Sequence, residues 1–163
     1  MFVLPKDGKD NSVYSYMAWS TITNKSSNQY RLREGYRKTN NNLFDSNGLA
    51  DIFSRKVIAC TDKYGNIGDE IEVTFQKPVY YWNNKGTLFA IIGDIKSRND
   101  SNWDEWGHLY TEGKQRSVVE FIVNGKVFQG GKTIKNTFSD LVKNPVVQIQ
   151  RTGVNFFRKF RSK

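Results

Sequence analysis

The sequence predicts a mainly β protein: a small five- to six-stranded antiparallel β-barrel with one short late helix and N- and C-terminal extensions. Three observations carry that expectation. Short runs rich in Val, Ile, Thr and Phe alternate with polar residues, the period-2 signature of strands with one buried face. Gly- and Asn-containing turns separate these runs. A single late stretch, 137–142, has room for one short helix, and many short strands with tight turns close most readily into a barrel.

Taken in order, Val13 to Ile22 has the β-branched and aromatic content of a strand or buried arm, between the polar stretches 24–28 and 39–42. Residues 1–46 therefore read as an N-terminal extension that packs on a partner, the alternative being an extra strand pair on the main domain. Arg55–Thr61 reads as a strand, followed by a turn at 62–66. Ile71, Val73 and Phe75 alternate with polar residues, and Pro78 ends that strand because proline donates no ladder hydrogen bond. Thr87–Ile92 is short and β-rich and suits a strand buried on both faces. A polar excursion spans 96–116. Ser117–Val123 resumes as strand, and Asn124-Gly125 turns it into Lys126–Phe128, since Asn-Gly between apolar runs signals a hairpin. Thr137 or Ser139 caps the short helix, and Val146–Ile149 is the last strand. The expected organisation is an extension (1–46), a β-barrel RNA-binding domain (47–150) and a basic tail (151–163).

Composition narrows the function. The chain has 163 residues, of which 37% are hydrophobic, and a mean hydropathy of −0.64. No apolar run reaches the ~18 residues of a membrane span. One cysteine, Cys60, excludes an internal disulfide framework and a cysteine-built zinc site, and one histidine, His108, leaves little for a catalytic base or metal centre. The N-terminus has neither the apolar core of a signal peptide nor the acid-poor character of a transit peptide.

Charge is the positive signal. The net charge is +9, with seven bases and four acids in 1–48, nine and eleven in 49–125, and nine against one in 126–163. A near-neutral body with basic ends favours a polyanionic partner. Asn and Lys (16 each) with Phe (11), Ile (11) and Tyr (8) point to an AT-rich genome.

Enzyme motifs are absent. Cys60 falls on an apolar-patterned strand, where a buried, inert thiol is the usual case. Asp104 and Glu105 are adjacent and point apart on an extended chain. Gly130-Gly131-Lys132-Thr133 resembles the end of a phosphate loop, but the earlier glycine of that loop is out of place by one residue. The chain reads as non-enzymatic, with no cofactor and no metal. What remains is basic residues interleaved with aromatics, the combination that satisfies phosphates and stacks on splayed bases. Lys126, Lys132, Lys135, Lys143, Arg151, Arg158, Lys159 and Arg161 carry it in the last third of the chain.

The order of the segments resembles ribosomal large-subunit protein fourteen, the β-barrel protein family of bacterial and organellar large subunits. Leu49-Ala50-Asp51-Ile52-Phe53-Ser54-Arg55-Lys56-Val57-Ile58-Ala59-Cys60 is similar to that family's V-A-D-N-S-G-A-R-K-V-x-C, with a slip of one residue. Ile67–Gln76 resembles V-G-D-x-I-x-V-x-I-K, and Lys85–Ile92 resembles K-K-G-x-x-x-x-A-V-V-V. Ser117–Val127 and Gly131–Leu141 follow S-x-I-x-F-x-x-N-A-x-V and G-T-R-I-x-G-P-V-x-x-E-L. The likeness covers about 49–150. It departs in the Asn-Ser-Gly reduced to Ser54, the missing Gly-Pro, and the acidic 97–115 stretch where the family has a basic loop.

The resemblance implies a structural constituent of a large ribosomal subunit, bound to large-subunit rRNA near the subunit interface. It implies neighbouring ribosomal proteins as partners and a bridge to small-subunit rRNA. Arg55 and Lys56 match the family's basic pair, and Lys132 falls at its Gly-Thr-Arg. With the AT-rich signature, the expected location is the mitochondrial matrix, on an organelle-encoded ribosomal protein. Two rivals share the features: a viral or phage capsid or connector β-barrel located in a virion, and a single-strand nucleic-acid-binding barrel.

Overall fold

A computed structural model describes residues 1–6, 11–37, 42–81, 86–96, 104–111 and 115–156. The protein is mainly β, and its strands form one open, mixed sheet rather than a closed antiparallel barrel. The strands are β1 (Phe2–Val3), β2 (Tyr16–Ala18), β3 (Asp51–Ile52), β4 (Arg55–Cys60), β5 (Asp69–Phe75), β6 (Leu88–Ile95), β9 (Glu120–Val123) and β10 (Val146–Asn155). Between β6 and β9, β7 (Leu109–Thr111) and β8 (Gln115–Ser117) form a separate pair. The main sheet runs β1-β10-β5-β6-β4-β9-β2, with β3 folded onto β4.

Two pairings are parallel, β4 with β6 and β2 with β9, and they break the antiparallel expectation. Both β4 and β6 are nearly continuous apolar runs (Val57-Ile58-Ala59-Cys60 and Leu88 to Ile92), the pattern of strands covered on both faces. One face carries Ile58, Cys60, Ile71, Val73, Ala90, Ile92, Phe121 and Val123 into the larger core. Val57, Ala59, Ile91 and Ile122 on the other face meet Leu32, Ile52 and Phe156.

The described part of residues 1–46 is built into the body. Their strands β1 and β2 occupy the two ends of the sheet. Leu4 and Val13 enter the larger core, Leu32 and Leu43 the smaller one. Helix α1 (Asn28–Arg37) covers the second face. It has few apolar positions and a Gly35 in its last turn, so helix periodicity is weak there. Its anchor is Arg33, buried between the rings of Trp19 (4.3 Å) and Tyr30 (4.4 Å) and paired with Glu34 at 3.1 Å. A guanidinium stem and plane supply packing that a sequence reading scores as surface charge.

Local chemistry explains the other departures. Asn124-Gly125 does not open a hairpin. Asn124 Oδ1 accepts from the Lys126 N–H (3.1 Å), and the carbonyl of Asn124 accepts from Val127 and Phe128, so 124–128 wind into a turn and Lys126–Phe128 is not a strand. The short helix α2 (Ile134–Thr137) is capped by Thr133, not Thr137 or Ser139, in a reciprocal capping box with Asn136. Strand β10 runs past residue 150, so the expected tail boundary falls inside a paired strand, and Phe156 fills the smaller core. Phe53 and Ser54 join β3 to β4 with φ of 51° and 63°, the left-handed pair of a tight hairpin turn.

Candidate nucleic-acid interface

The sequence singles out ten cations, and the fold sorts them into separate groups. Lys56 is buried, with its Nζ 2.6 Å from Asp45 Oδ2 and 2.7 Å from Asp51 Oδ2. Its backbone sits in β4, paired with Asp51 of β3, so the tight hairpin that creates the strand pair also delivers one counter-ion, and the turn at 45–49 delivers the other, Asp45. That ammonium faces inward and has no phosphate-facing surface. Arg55 donates from Nε to Glu70 Oε2 (2.7 Å) and from Nη1 to the Phe53 carbonyl (2.7 Å), and its guanidinium lies 5.2 Å from the Phe156 ring centre. Arg151 pairs with Asp69 at 2.9 Å. These three cations are tied to acids of the body. Arg158, Lys159 and Arg161 lie outside the described residues.

The remaining four come together. Lys135 Nζ stands 4.6 Å from the ring centre of Tyr14, and the Tyr14 hydroxyl accepts from the Lys143 backbone N–H at 3.0 Å. Lys132 Nζ stands 5.3 Å from the ring of Phe128, which packs at 4.9 Å against Tyr16. Cation–π contacts of this length orient a lysine head over a ring while leaving its other face in water. Among the described residues none of these four ammonium groups is ion-paired. Lys126 lines an open cleft of about 490 Å³ with Tyr16, Trp19, Phe128 and Gln129. The strip thus has two parts, Tyr14 with Lys135 and the backbone of Lys143, and Phe128 with Lys132, Tyr16 and Lys126, joined through the chain at 14–16 and 132–135.

Two structural features build this strip. Strand β2 pairs with β9, which holds Tyr16 beside Phe121 and sends the alternate residue, Tyr14, toward the 133–143 segment. The turn at 124–128 buries Phe128 and leaves Lys126 exposed at the cleft. Gly125 closes the cleft floor, since a Cβ there would sit 3.1 Å from that of Ala18. The lysines are visible in the sequence as a basic run. Phe128 lies four residues from Lys132, but Tyr14 and Tyr16 are not visible as partners, because they are more than one hundred residues away in the chain. The Tyr-x-Tyr alternation within the arm is the one signal that marks them.

Other residues weighed for chemistry have ordinary surroundings. Cys60 is fully buried, and desolvation pushes its thiol far up from the usual range. His108 is buried with Nδ1 2.7 Å from Asp104 Oδ2 and Nε2 2.5 Å from Asn11 Oδ1, which ties the 104–108 turn to the N-terminal segment. Burial alone raises the Asp104 carboxyl, but hydrogen bonds from the His108 backbone and ring and the Trp106 N–H bring it below the ordinary carboxylate range. Tyr64, also buried, donates its hydroxyl to the Trp106 carbonyl. Among the described residues no group of three or more His, Cys, Asp or Glu side chains converges to hold a metal, and no helix is long and apolar enough to cross a membrane. No family model matches the chain, and no curated protein or solved structure matches it.

Proposed function

We propose that this chain is a non-enzymatic RNA-binding protein that docks on a large ribonucleoprotein through the strip from Lys143 to Lys126. The assembly that the motif resemblance favours is the large ribosomal subunit of a mitochondrion, with rRNA and neighbouring ribosomal proteins as partners. The observation that carries the reading is the pairing of Lys132 and Lys135 with the rings of Phe128 and Tyr14 beside an open aromatic-lined cleft. Lysines held over rings offer charge to phosphates while the exposed ring of Tyr16 and the cleft beside it accept unstacked bases. Single-strand binding without sequence preference is the second reading, and the same cleft favours it.

The test is charge reversal in the strip. A Lys132→Glu, Lys135→Glu double variant keeps the fold, because both side chains reach into solvent, and loses affinity for single-stranded RNA. Four phosphate contacts give a log–log salt slope of about −3 on a single strand, and removing two makes it shallower by about 1.4. An unchanged slope refutes the interface. Co-sedimentation of the wild type with purified large subunits, resisted by excess unrelated RNA, supports the ribosomal form; release by any single strand supports the second reading.

A further inference from the structure

Among the buried titratable groups outside the strip, Glu120 has Lys96 Nζ at 3.2 Å, whereas His108 is held on both ring nitrogens. Asp104 Oδ2 lies 2.7 Å from its Nδ1, and Asn11 Oδ1 lies 2.5 Å from its Nε2. The orientation of the Asn11 amide is fixed independently. Its Nδ2 donates to the Pro5 carbonyl at 2.8 Å, which leaves the oxygen toward the ring. Both nitrogens therefore face acceptors. At 2.5 Å a ring lone pair and an amide oxygen cannot face each other without a proton between them. An imidazole with one proton satisfies one acceptor; the imidazolium, with two N–H donors, satisfies both.

A neutral Asp104 that donated to Nδ1 would also supply a second proton, but its surroundings oppose that form. Burial raises the Asp104 carboxyl, yet hydrogen bonds from the His108 backbone and ring and from the Trp106 N–H hold it below the ordinary carboxylate range. The carboxylate is thus the form that faces the ring. The 60–64 segment packs on Gly107, beside the histidine. Its Cys60 thiol and Tyr64 hydroxyl are pushed up by burial and stay neutral. The Trp106 ring stands 6.4 Å from the imidazole, and on β8 the residue paired with Leu109 is the neutral Ser117. Among the described residues no second carboxylate is in ion-pair contact with His108.

When the imidazolium loses a proton, the carboxylate keeps the one on Nδ1, because a lone pair turned toward a full negative charge is worse than one turned toward an amide oxygen. The bond to Asn11 is the one lost. Asn11 can turn its amide over and donate to Nε2, but its oxygen then meets the Pro5 carbonyl. Either outcome removes a contact from a buried residue whose own carbonyl accepts from the Val146 N–H at 2.8 Å, at the start of β10. Asn11 therefore pins together Pro5 beside β1, the 104–108 turn and β10, and its link to the turn is the one that titrates.

We propose that His108 is a pH-sensitive clasp: as an imidazolium it ties the N-terminal segment at Asn11 to the 104–108 turn, and as a neutral ring it releases that contact. The clasp is independent of the RNA interface. His108 is the one histidine of the chain, so nitrogen NMR of the full-length protein reads its ring without ambiguity. The titration covers the range in which imidazoles change charge, about pH 5–8. Both ring nitrogens are expected to carry protons at the acid end, and Nδ1 alone at the alkaline end. The Asn11 side-chain amide and the Val146 backbone amide shift with the same midpoint. Exchange protection of the Val146 N–H, corrected for its intrinsic pH dependence, falls about ten-fold or more as the clasp opens, as loss of a hydrogen bond to a charged group predicts. His108→Gln abolishes that step. Asn11→Asp sets a carboxylate against each nitrogen and moves the midpoint to higher pH, a readout that does not depend on His108→Gln folding. A ring whose protonation does not change across the range, Asn11 and Val146 signals that do not follow the ring, or an unmoved midpoint in Asn11→Asp overturns the proposal.

Discussion

Lys56 shows how far identical side chains diverge once the fold sets their surroundings. On the strand it reads as half of a basic pair; folded, it is a buried cation between Asp45 and Asp51. Lys56→Met leaves two partly buried carboxylates facing each other without their cation. It is expected to cost about 3 kcal/mol, as removal of one partner of a buried ion pair does. RNA affinity of the folded variant stays at the wild-type value, and a large affinity loss without a stability loss would return Lys56 to the interface. Glu120 makes the opposite case. Burial raises its carboxyl, so ionising it costs the folded state more than the unfolded one. The sign follows from linkage: wild-type stability declines as pH rises from the ordinary glutamate range near 4.3 toward the raised folded value, and is flat above it. Glu120→Gln removes that decline. Urea melts of both proteins across the acid range compare the slopes, which the loss of the Lys96 partner shifts in level but not in direction, and parallel curves would contradict the assignment.

At the scale of elements, a bulge in β6 at Gly93, where Ile58 pairs with Ile92 but Ala59 pairs with Asp94, governs what the second face presents. Gly93→Ala must displace Val57 or the strand itself, an overpacking expected to cost about 1–3 kcal/mol. The double variant Gly93→Ala, Val57→Ala gains room at the clash and is expected to cost less than the sum of its singles, read by thermal melts in a double-mutant cycle. Additive costs would show that backbone conformation, not the Val57 contact, makes glycine necessary. This bulge also marks where sequence reasoning stops. Strands β4, β5 and β6 are legible because alternation and β-branched runs report burial directly, and β5 begins and ends within two residues of its expected limits. Pairing partners are not legible: nothing in Tyr16–Ala18 states that it lies parallel to β9, and that one pairing converts an arm into a sheet edge. Helix α1 is hidden for a related reason, since its buried face is built on Leu32 and an arginine held between aromatic rings. For the candidate interface, charge located Lys126, Lys132, Lys135 and Lys143. Charge also picked Arg151, and the motif resemblance picked Arg55 and Lys56, because both are blind to the acids that the fold sets beside them.

For the molecule as a whole, net charge and charge placement make different predictions about RNA. If +9 acted only as a diffuse field, any two exposed lysines would contribute alike. A strip in contact with phosphates instead concentrates the effect, because each contact releases counter-ions while distant charges are screened beyond about 10 Å at 0.1 M salt. The comparison is between Lys126→Glu with Lys143→Glu, inside the strip, and Lys6→Glu with Lys25→Glu, exposed and outside it. Both pairs lower the net charge by the same amount. Titration against one single-stranded RNA over a range of salt is expected to show a shallower slope, by about 1.4, for the strip pair alone. The outside pair shifts affinity only at low salt and converges on the wild type as screening grows. Equal losses from both pairs would mean that the protein attracts RNA as a uniformly charged body. The aromatic platform around Tyr14, Tyr16 and Phe128 would then be packing rather than recognition.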